Sequence, residues 1–366
     1  MTQRNEVVDF IRGFAILSVI LVHCKIHLPI NQSLLSITWV KWLLISGYYG
    51  VMIFFVVSGF LITSNCIRKW NELQSININQ FYVMRFARIM PCLIALLVIL
   101  SVLHWMTIKG FVIQNASLEQ AWFSAITFHI NWLEAKVGYL PANWNVLWSL
   151  SIEEVFYLFF PLLCILMRKE KHITMILFIF ILVGPLARTR WTGNDIWSDH
   201  SYLSCMDGIA IGCLAAIFAA KNRFKNSWLF VIGCLLFGFI FFFRKQALDL
   251  GITPLGLNVT FLEMGIACIL IATQHTHFKL FKSIRWFGRN SYEIYLTHSF
   301  IVLFAASVFY RSNQTTRLIA LEYLIIIVCS GILGQIIATY YSEPLNRYIR
   351  KRVKEEKLAT SPLSLE

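Results

Sequence analysis

Ten long apolar runs constrain the fold of this chain more than any other feature. They lie near residues 8–28, 42–64, 86–106, 146–167, 173–188, 202–220, 227–243, 257–274, 291–310 and 318–341. A helix needs roughly 17 to 25 apolar residues to cross a bilayer. Only 14% of the residues are charged, whereas soluble domains carry about 25%. The sequence therefore predicts an all-α polytopic membrane protein with about ten transmembrane helices.

The distribution of lysine and arginine predicts how these helices are oriented. If the N-terminus is cytoplasmic, 22 of the 32 lysines and arginines fall on the cytoplasmic side, the bias expected of short cytoplasmic loops. We therefore expect both termini in the cytoplasm. The net charge of +13 is then explained by topology and by attraction to anionic lipid, and no nucleic-acid partner is predicted. Acidic Glu6 and Asp9, without a small-residue cleavage site, indicate a first helix that is retained.

The chain divides into one membrane-embedded domain, residues 1–345, and a basic cytoplasmic tail, residues 346–366. The aromatic-rich connection 107–145 is expected to lie along the outer membrane interface, where aromatic rings accumulate. The nine cysteines are scattered without metal-ligand spacing, so no metal site is predicted.

The first apolar helix carries ionisable residues near both of its ends. Arg12 and His23 are eleven residues apart, which is three turns plus about 20° and about 16 Å along a helix. They share one face, with Arg12 near the cytoplasmic boundary and His23 in the outer half of the bilayer. Asp9, one turn before Arg12, is placed to pair with it. Such residues mark a site or pathway, or else Arg12 reaches the interface and His23 is a packed histidine.

Two further helices bring charges to the same two depths. Arg85 and Arg88 are neighbours on one helix face and suit a phosphate group, although a positive anchor at the cytoplasmic boundary is the plainer interpretation. Glu153 and Glu154 enter from the outside at about the depth of His23. A carboxylate there can orient an imidazole, or both acids can reach water in an outer vestibule.

Other polar or small residues inside the spans are weaker candidates. Ser58 and Gly59 form a small-residue spot, suited either to close helix packing or to a narrow substrate channel. Asp207, Tyr295 and His298 are further buried polar candidates.

Taken in order, these stretches resemble the integral-membrane acyltransferase family 3, bacterial enzymes that O-acylate surface glycans and related acceptors. The first-helix stretch VVDFIRGFAILSVILVHC is similar to the family's first motif, with Asp9, Arg12 and His23 in register. FFVVSGFLI, FYVMRFARIMP, LWSLSIEEVFYLFFP and NSYEIYLTHSFI resemble its later motifs. Phe10 and Val155 stand where family members often have Gly and Gln. We expect the extra periplasmic domain of some members to be absent.

The resemblance implies an acyl-coenzyme A donor, with acetyl the common case. Arg12, Arg85 and Arg88 would hold its phosphates, and the pantetheine arm would pass Ser58 and Gly59. His23 would act as the general base or as an acylated nucleophile, and Glu153 would orient it or stabilise its charged form. The implied acceptor is a cell-surface or lipid-linked glycan, such as O-antigen or exopolysaccharide, at the bacterial inner membrane. A homo-oligomer is compatible with the sequence.

Two other classes of protein remain open at this point. A transporter or flippase for a lipid-linked glycan would use intramembrane charges equally well, although repeated halves and paired broken helices are not evident. A non-catalytic scaffold or sensor would tolerate substitutions at Arg12, His23, Arg85 and Arg88.

Overall fold

The computed structural model describes residues 5–29, 38–190, 193–222, 227–274, 276, 280–311 and 318–359. In these residues every regular element is helical, which confirms the all-α class. The α-helices are α1 (Glu6–His27), α2 (Thr38–Ile45), α3 (Tyr48–Trp70), α4 (Ile78–Trp105), α5 (Leu118–Ile126), α6 (Ile130–Val137), α7 (Leu147–Leu166), α8 (Glu170–Arg190), α9 (Asp195–His200), α10 (Tyr202–Lys221), α11 (Ser227–Phe242), α12 (Arg244–Asp249), α13 (Leu257–Ala272), α14 (Lys282–Arg289), α15 (Ser291–Arg311), α16 (Ile319–Ile337) and α17 (Glu343–Ala359).

Eight helical stretches in the described part of the chain are long and apolar enough to cross a membrane. Each of the ten predicted runs is helical, but α11 and α13 have 16 residues each. At 1.5 Å per residue they are about 24 Å long, short of the ~30 Å hydrocarbon core. The apolar run of α11 stops at Arg244, and α13 starts after Gly256, whose φ is +67°. By length and composition, the described residues therefore contain eight helices that could span a membrane and two shorter apolar helices.

Helix α4 is longer than predicted and passes through a proline. It begins at Ile78, where the Asn77 side chain accepts a hydrogen bond from the Gln80 N–H at 2.9 Å. Pro91 lies inside it and cannot donate to the helix ladder. Nearby, the Tyr292 hydroxyl donates to the Ile89 carbonyl at 2.9 Å and the Tyr341 hydroxyl donates to the Pro91 carbonyl at 3.1 Å. These bonds attach α4 to α15 and to the C-terminal end of the bundle.

Helices α3 and α10 approach each other closely through two glycines. A side chain at Gly59 would collide with the Ile209 backbone, and one at Gly212 would collide with the Val56 carbonyl. Small residues drive such contacts between helices in a membrane, where hydrophobic burial supplies little. Gly59 is therefore a packing residue, which was one of the two predicted alternatives.

The outer connection folds back onto the bundle instead of lying only along the interface. The Ile130 N–H donates to Ser151 Oγ at 3.3 Å, and Asn143 Nδ2 donates to the Leu296 carbonyl at 2.6 Å. Phe123 is 65% exposed, as an interfacial ring would be, but Trp144 is fully buried. Trp144 therefore packs inside the protein, where the Ala142–Trp144 turn is anchored to α15 through Asn143.

The C-terminal region continues the last span. A π-helical turn at Ala338–Ser342 joins α16 to α17. The predicted domain boundary at residue 346 thus falls inside a helix. The cytoplasmic position of both termini stays a prediction.

Candidate active site

An internal cavity of about 180 Å³ lies between α1, α3, α4, α7 and α15. We call it the central cavity. It brings together six of the predicted site residues, namely Arg12, Ser58, Arg85, Arg88, Glu153 and Tyr295. The other lining residues are Val51, Phe54, Val57, Leu61, Ile89, Ser149, Leu150, Tyr157, Ser291, Tyr292 and Leu296. Residues from five helices that are far apart in the sequence therefore share one space.

The cavity is polarised along the helix axes. Arg12, Arg85 and Arg88 come from the N-terminal halves of α1 and α4. Ser149 comes from the first turn of α7, which enters from the opposite side in the predicted topology. The arginines therefore mark the end predicted to face the cytoplasm, and Ser149 marks the outer end.

Arg88 is held by a carboxylate that sequence reasoning missed. Its Nη1 lies 2.8 Å from Glu293 Oε1 and its Nη2 lies 3.3 Å from Glu293 Oε2. Ser342 Oγ also donates to Glu293, at 2.7 Å. The Glu293 side chain is fully buried, while 27% of the Arg88 side chain is exposed. An acidic residue inside an apolar span was the available signal.

Arg85 is held in a different way, by an aromatic ring. Its guanidinium lies 3.9 Å from the centre of the Tyr157 ring, within the range of a cation–π interaction. The Tyr157 hydroxyl donates to Glu153 Oε2 at 3.3 Å and forms a short hydrogen bond with Ser58 Oγ. Since the tyrosine proton goes to the carboxylate, Ser58 acts as the donor to Tyr157. Tyr157 is one helical turn after Glu153, a spacing that the sequence already contained.

His23 lies beside a second histidine and not beside Glu153. The ring centroids of His23 and His298 are 4.9 Å apart, and those of His23 and His27 are 6.4 Å apart. Among the described residues, no hydrogen bond joins Glu153 to His23; the bond of Glu153 is with Tyr157. The described structure thus shows no direct hydrogen bond through which Glu153 would orient His23, and that role stays a prediction.

The protonation pattern of His298 follows from its hydrogen bonds. Its Nδ1 lies 2.8 Å from the Tyr295 carbonyl and 3.2 Å from the Ile294 carbonyl. A carbonyl can only accept, so Nδ1 carries the proton and Nε2 of the neutral ring keeps its lone pair. His298 is fully buried. It can therefore accept a proton or a hydrogen bond at Nε2 alone.

Tyr295 connects the central cavity to this histidine pair. Its hydroxyl lies 2.7 Å from Ser149 Oγ and donates to the Val146 carbonyl at 3.1 Å. Its ring centre is 6.0 Å from that of His298. Tyr295 lines the cavity on one side and contacts the histidine region on the other.

The remaining predicted residues lie elsewhere. Asp207 forms an ion pair with Arg188, at 2.7 Å, deep between α8 and α10 and outside the cavity lining. Asp9 forms an ion pair with Arg289, at 3.6 Å. Glu154 does not line the central cavity, and its Oε1 is buried without a hydrogen-bond partner in the described structure. Within the described residues, no group of three histidine, cysteine or acidic side chains is close enough to hold a metal ion.

The fold and the cavity together define a multi-pass membrane protein with a built internal site, guanidinium groups at one end and histidines beyond the other. The profile of the family described as "Acyltransferase domain" matches residues 5–341. The chain belongs to this family, which is the one that the sequence motifs resemble.

Curated relatives with similar sequences carry O-acetyltransferase names. Peptidoglycan O-acetyltransferase OatA of Listeria monocytogenes is 28% identical over 82% of this chain and 50% of the relative. O-acetyltransferase OatA of Staphylococcus aureus is 26% identical over 93% of this chain and 57% of the relative. Putative peptidoglycan O-acetyltransferase YrhL of Bacillus subtilis is 25% identical over 92% of this chain and 54% of the relative. The chain thus spans about half the length of these relatives. No solved structure matches it.

Proposed function

We propose that this protein is a membrane O-acetyltransferase that moves an acetyl group from cytoplasmic acetyl-coenzyme A to a hydroxyl group of a cell-surface glycan. The observation that carries the proposal is the central cavity, which has three arginines at one end and Tyr295 at the other. Neither histidine is in its lining, but Tyr295 packs beside His298 of the His23–His298 pair. The membership of an acyltransferase family and the names of the relatives support it.

The arginine end suits the phosphate groups of coenzyme A. Guanidinium groups bind phosphate through paired, charge-assisted hydrogen bonds. The charge of Arg88 is already balanced by Glu293, and Arg12 and Arg85 add two further positive charges to the lining. The pantetheine arm would run past Ser58 and Tyr157, which place hydroxyl groups along the wall. Gly59 has no part in this path, because it packs against α10.

The outer end of the cavity suits the chemical step. His23 takes the proton of the acceptor hydroxyl, and the hydroxyl oxygen bonds to the thioester carbonyl carbon. The carbon–sulfur bond then breaks, sulfur leaves with the electron pair, and the proton passes from His23 to sulfur. In this proposal the ring of His298, which packs against that of His23, would turn its Nε2 lone pair to the N–H of charged His23. The products are an ester and free coenzyme A, so atoms and charge balance.

The acceptor is a polysaccharide exposed on the outer side of a bacterial cytoplasmic membrane. The names of two relatives include peptidoglycan, so peptidoglycan is the first glycan to test. O-antigen, exopolysaccharide and lipid-linked glycans belong to the same chemical class of acceptor.

The proposal is tested with the protein in lipid nanodiscs. We would measure acetyl-coenzyme A binding and acceptor-dependent release of free thiol for the wild type, Arg85→Ala and His23→Ala. Arg85→Ala should lose binding, whereas His23→Ala should bind the donor without releasing thiol. Arg168→Ala and His172→Ala are matched controls, because neither residue lines the cavity. If acetylated His23 were trapped, it would show that His23 acts as a covalent nucleophile and not as a general base. Glycan binding without donor binding would identify a transporter instead.

A further inference from the structure

A second cavity, of about 240 Å³, lies on the other side of α15 from the central cavity. We call it the side cavity. Its walls come from α4, α15, the end of α16 and the π-helical turn. The lining residues are Cys92, Ala95, Leu96, Ile99, Glu293, Leu296, Thr297, Phe300, Ile337 and Tyr341.

The side cavity suits hydrocarbon. The Glu293 carboxylate is bonded to Arg88 and Ser342, and the Thr297 hydroxyl donates to the Glu293 carbonyl at 2.7 Å. The acidic and hydroxyl groups of these two residues are therefore occupied, and most of the remaining lining is apolar. Ile99 is 49% exposed on the outside of the bundle, where lipid chains surround a membrane protein. A linear alkyl chain matches such a space better than a sugar does.

One side chain separates the two cavities. Of the described residues, Leu296 alone lines both of them. Its side chain is 98% buried. Its carbonyl accepts the hydrogen bond from Asn143 Nδ2, at 2.6 Å, so the backbone at this position is attached to the outer segment. Truncation of Leu296 would therefore open a passage, because the backbone is not free to move inward and fill it.

Leu296 also lies at the end of the central cavity where the acyl group would sit. It follows Tyr295, whose ring contacts the His298 region, and the arginines are at the other end. With coenzyme A phosphates at the arginines, the thioester points towards Leu296.

We propose that Leu296 sets the length of the acyl group, by limiting the central cavity to short acyl chains and blocking access to the side cavity behind it. The inference rests on the proposed acyl-coenzyme A function and adds its acyl specificity. In the wild type an acetyl group fits in front of Leu296. With Leu296 shortened, a longer acyl chain extends into the side cavity.

The test compares the binding and transfer of acetyl- and hexanoyl-coenzyme A by wild-type protein, Leu296→Ala and Ile337→Ala in nanodiscs. Each buried methylene favours binding by about fourfold. For Leu296→Ala, the affinity for hexanoyl-coenzyme A relative to acetyl-coenzyme A should therefore rise at least tenfold. The ratio of the two transfer rates should rise by the same factor. Ile337→Ala is the matched control, because Ile337 lines the side cavity but not the central cavity. Its truncation leaves the barrier at Leu296 in place, and its ratio should stay as in the wild type.

A filling substitution checks the route of the chain. Adding Ala95→Phe to Leu296→Ala should return the ratio to the wild-type value, because Ala95 lines the side cavity and not the central cavity. If Leu296→Ala does not fold, Leu296→Val with butyryl-coenzyme A replaces it, with a smaller gain expected. An unchanged ratio in a folded Leu296 variant that binds acetyl-coenzyme A would overturn this inference and leave the proposed function standing. Failure of the wild type to bind any acyl-coenzyme A would overturn both.

Discussion

The imidazole rings of His23 and His298 face each other edge to face, with centroids 4.9 Å apart and planes inclined by 67°. The two residues come from the first helix and from one of the last, so folding of most of the chain is needed to form the pair. His298 is fixed by the hydrogen bond from its Nδ1 to the Tyr295 carbonyl. The proposed base, His23, therefore has a buried and oriented imidazole as its neighbour.

Replacing His298 tests this arrangement. In His298→Ala, His23 loses the ring beside it, and we expect thiol release from acetyl-coenzyme A to fall about 100-fold, the lower end for loss of acid–base support. Donor binding should remain within threefold of the wild type, because the arginines are untouched. Steady-state kinetics and donor titration in nanodiscs measure the two effects. Turnover close to the wild-type value would show that His23 works without this neighbour.

The helices were predictable because the length and apolarity of a segment decide whether it lies in a membrane. Each apolar run became a helix, and the motif residues Arg12, Ser58, Arg85, Arg88, Glu153 and Tyr295 met in one cavity. Depth along a helix also follows from sequence position, since each residue advances it by a fixed rise.

Which helices lie next to each other in the bundle was not predictable in the same way. Which helices become neighbours depends on close contacts such as Gly59 against Ile209, and periodicity contains no information about the partner. For this reason Glu153 was assigned to His23, whereas the structure places it with Tyr157. The pairing of Arg88 with Glu293, 205 residues away, was missed for the same reason.

The Arg88–Glu293 pair leads to a stability prediction. Arg88→Ala leaves the buried Glu293 carboxylate with the Ser342 hydroxyl and without its countercharge. An uncompensated buried charge costs several kcal/mol, and the partial exposure of Arg88 reduces this to about 1–3 kcal/mol. The double variant Arg88→Ala/Glu293→Gln should recover at least half of the loss, because the remaining buried group is neutral.

Thermal unfolding in nanodiscs measures these differences. Arg347→Ala is the control, since its ion pair with Glu343 is exposed and should contribute little. A double variant no more stable than Arg88→Ala would mean that the cost arises from lost packing and not from the charge.

Tyr157 combines two functions that substitutions can separate. Tyr157→Phe keeps the ring under Arg85 but removes the hydroxyl that joins Ser58 to Glu153. We expect donor binding within threefold of the wild type and turnover reduced about tenfold, the value of one lost hydrogen bond to a charged group. Tyr157→Leu also removes the cation–π contact, and its donor binding should weaken by about tenfold. Equal donor affinities in the two variants would exclude a role for the ring in positioning Arg85.

Glu134 leads to a prediction about pH. It lies on α6, outside the spans, and is fully buried. Its Oε1 accepts the Leu140 N–H at 3.1 Å, while its Oε2 has no hydrogen-bond partner in the described structure. Burial raises the pKa of this carboxyl well above its usual value, and the bond from the Leu140 N–H opposes the shift only in part. The folded protein therefore holds this proton at pH values where the unfolded chain, with an ordinary pKa near ~4.3, has lost it.

The sign of the effect follows from proton linkage. Below the pKa of Glu134 in the unfolded chain, this carboxyl is protonated in both states, and its ionisation adds no pH-dependent cost to folding. As the pH rises above ~4.3 the unfolded chain releases its proton first, so stability falls until the raised folded pKa is passed. The Glu134→Gln variant keeps an oxygen that accepts the Leu140 N–H but cannot ionise. Its stability should therefore not fall in this way as the pH rises. We expect its unfolding midpoint to rise relative to the wild type between pH 5 and pH 8. Parallel midpoints over that range would show that Glu134 is not a buried acid with a raised pKa.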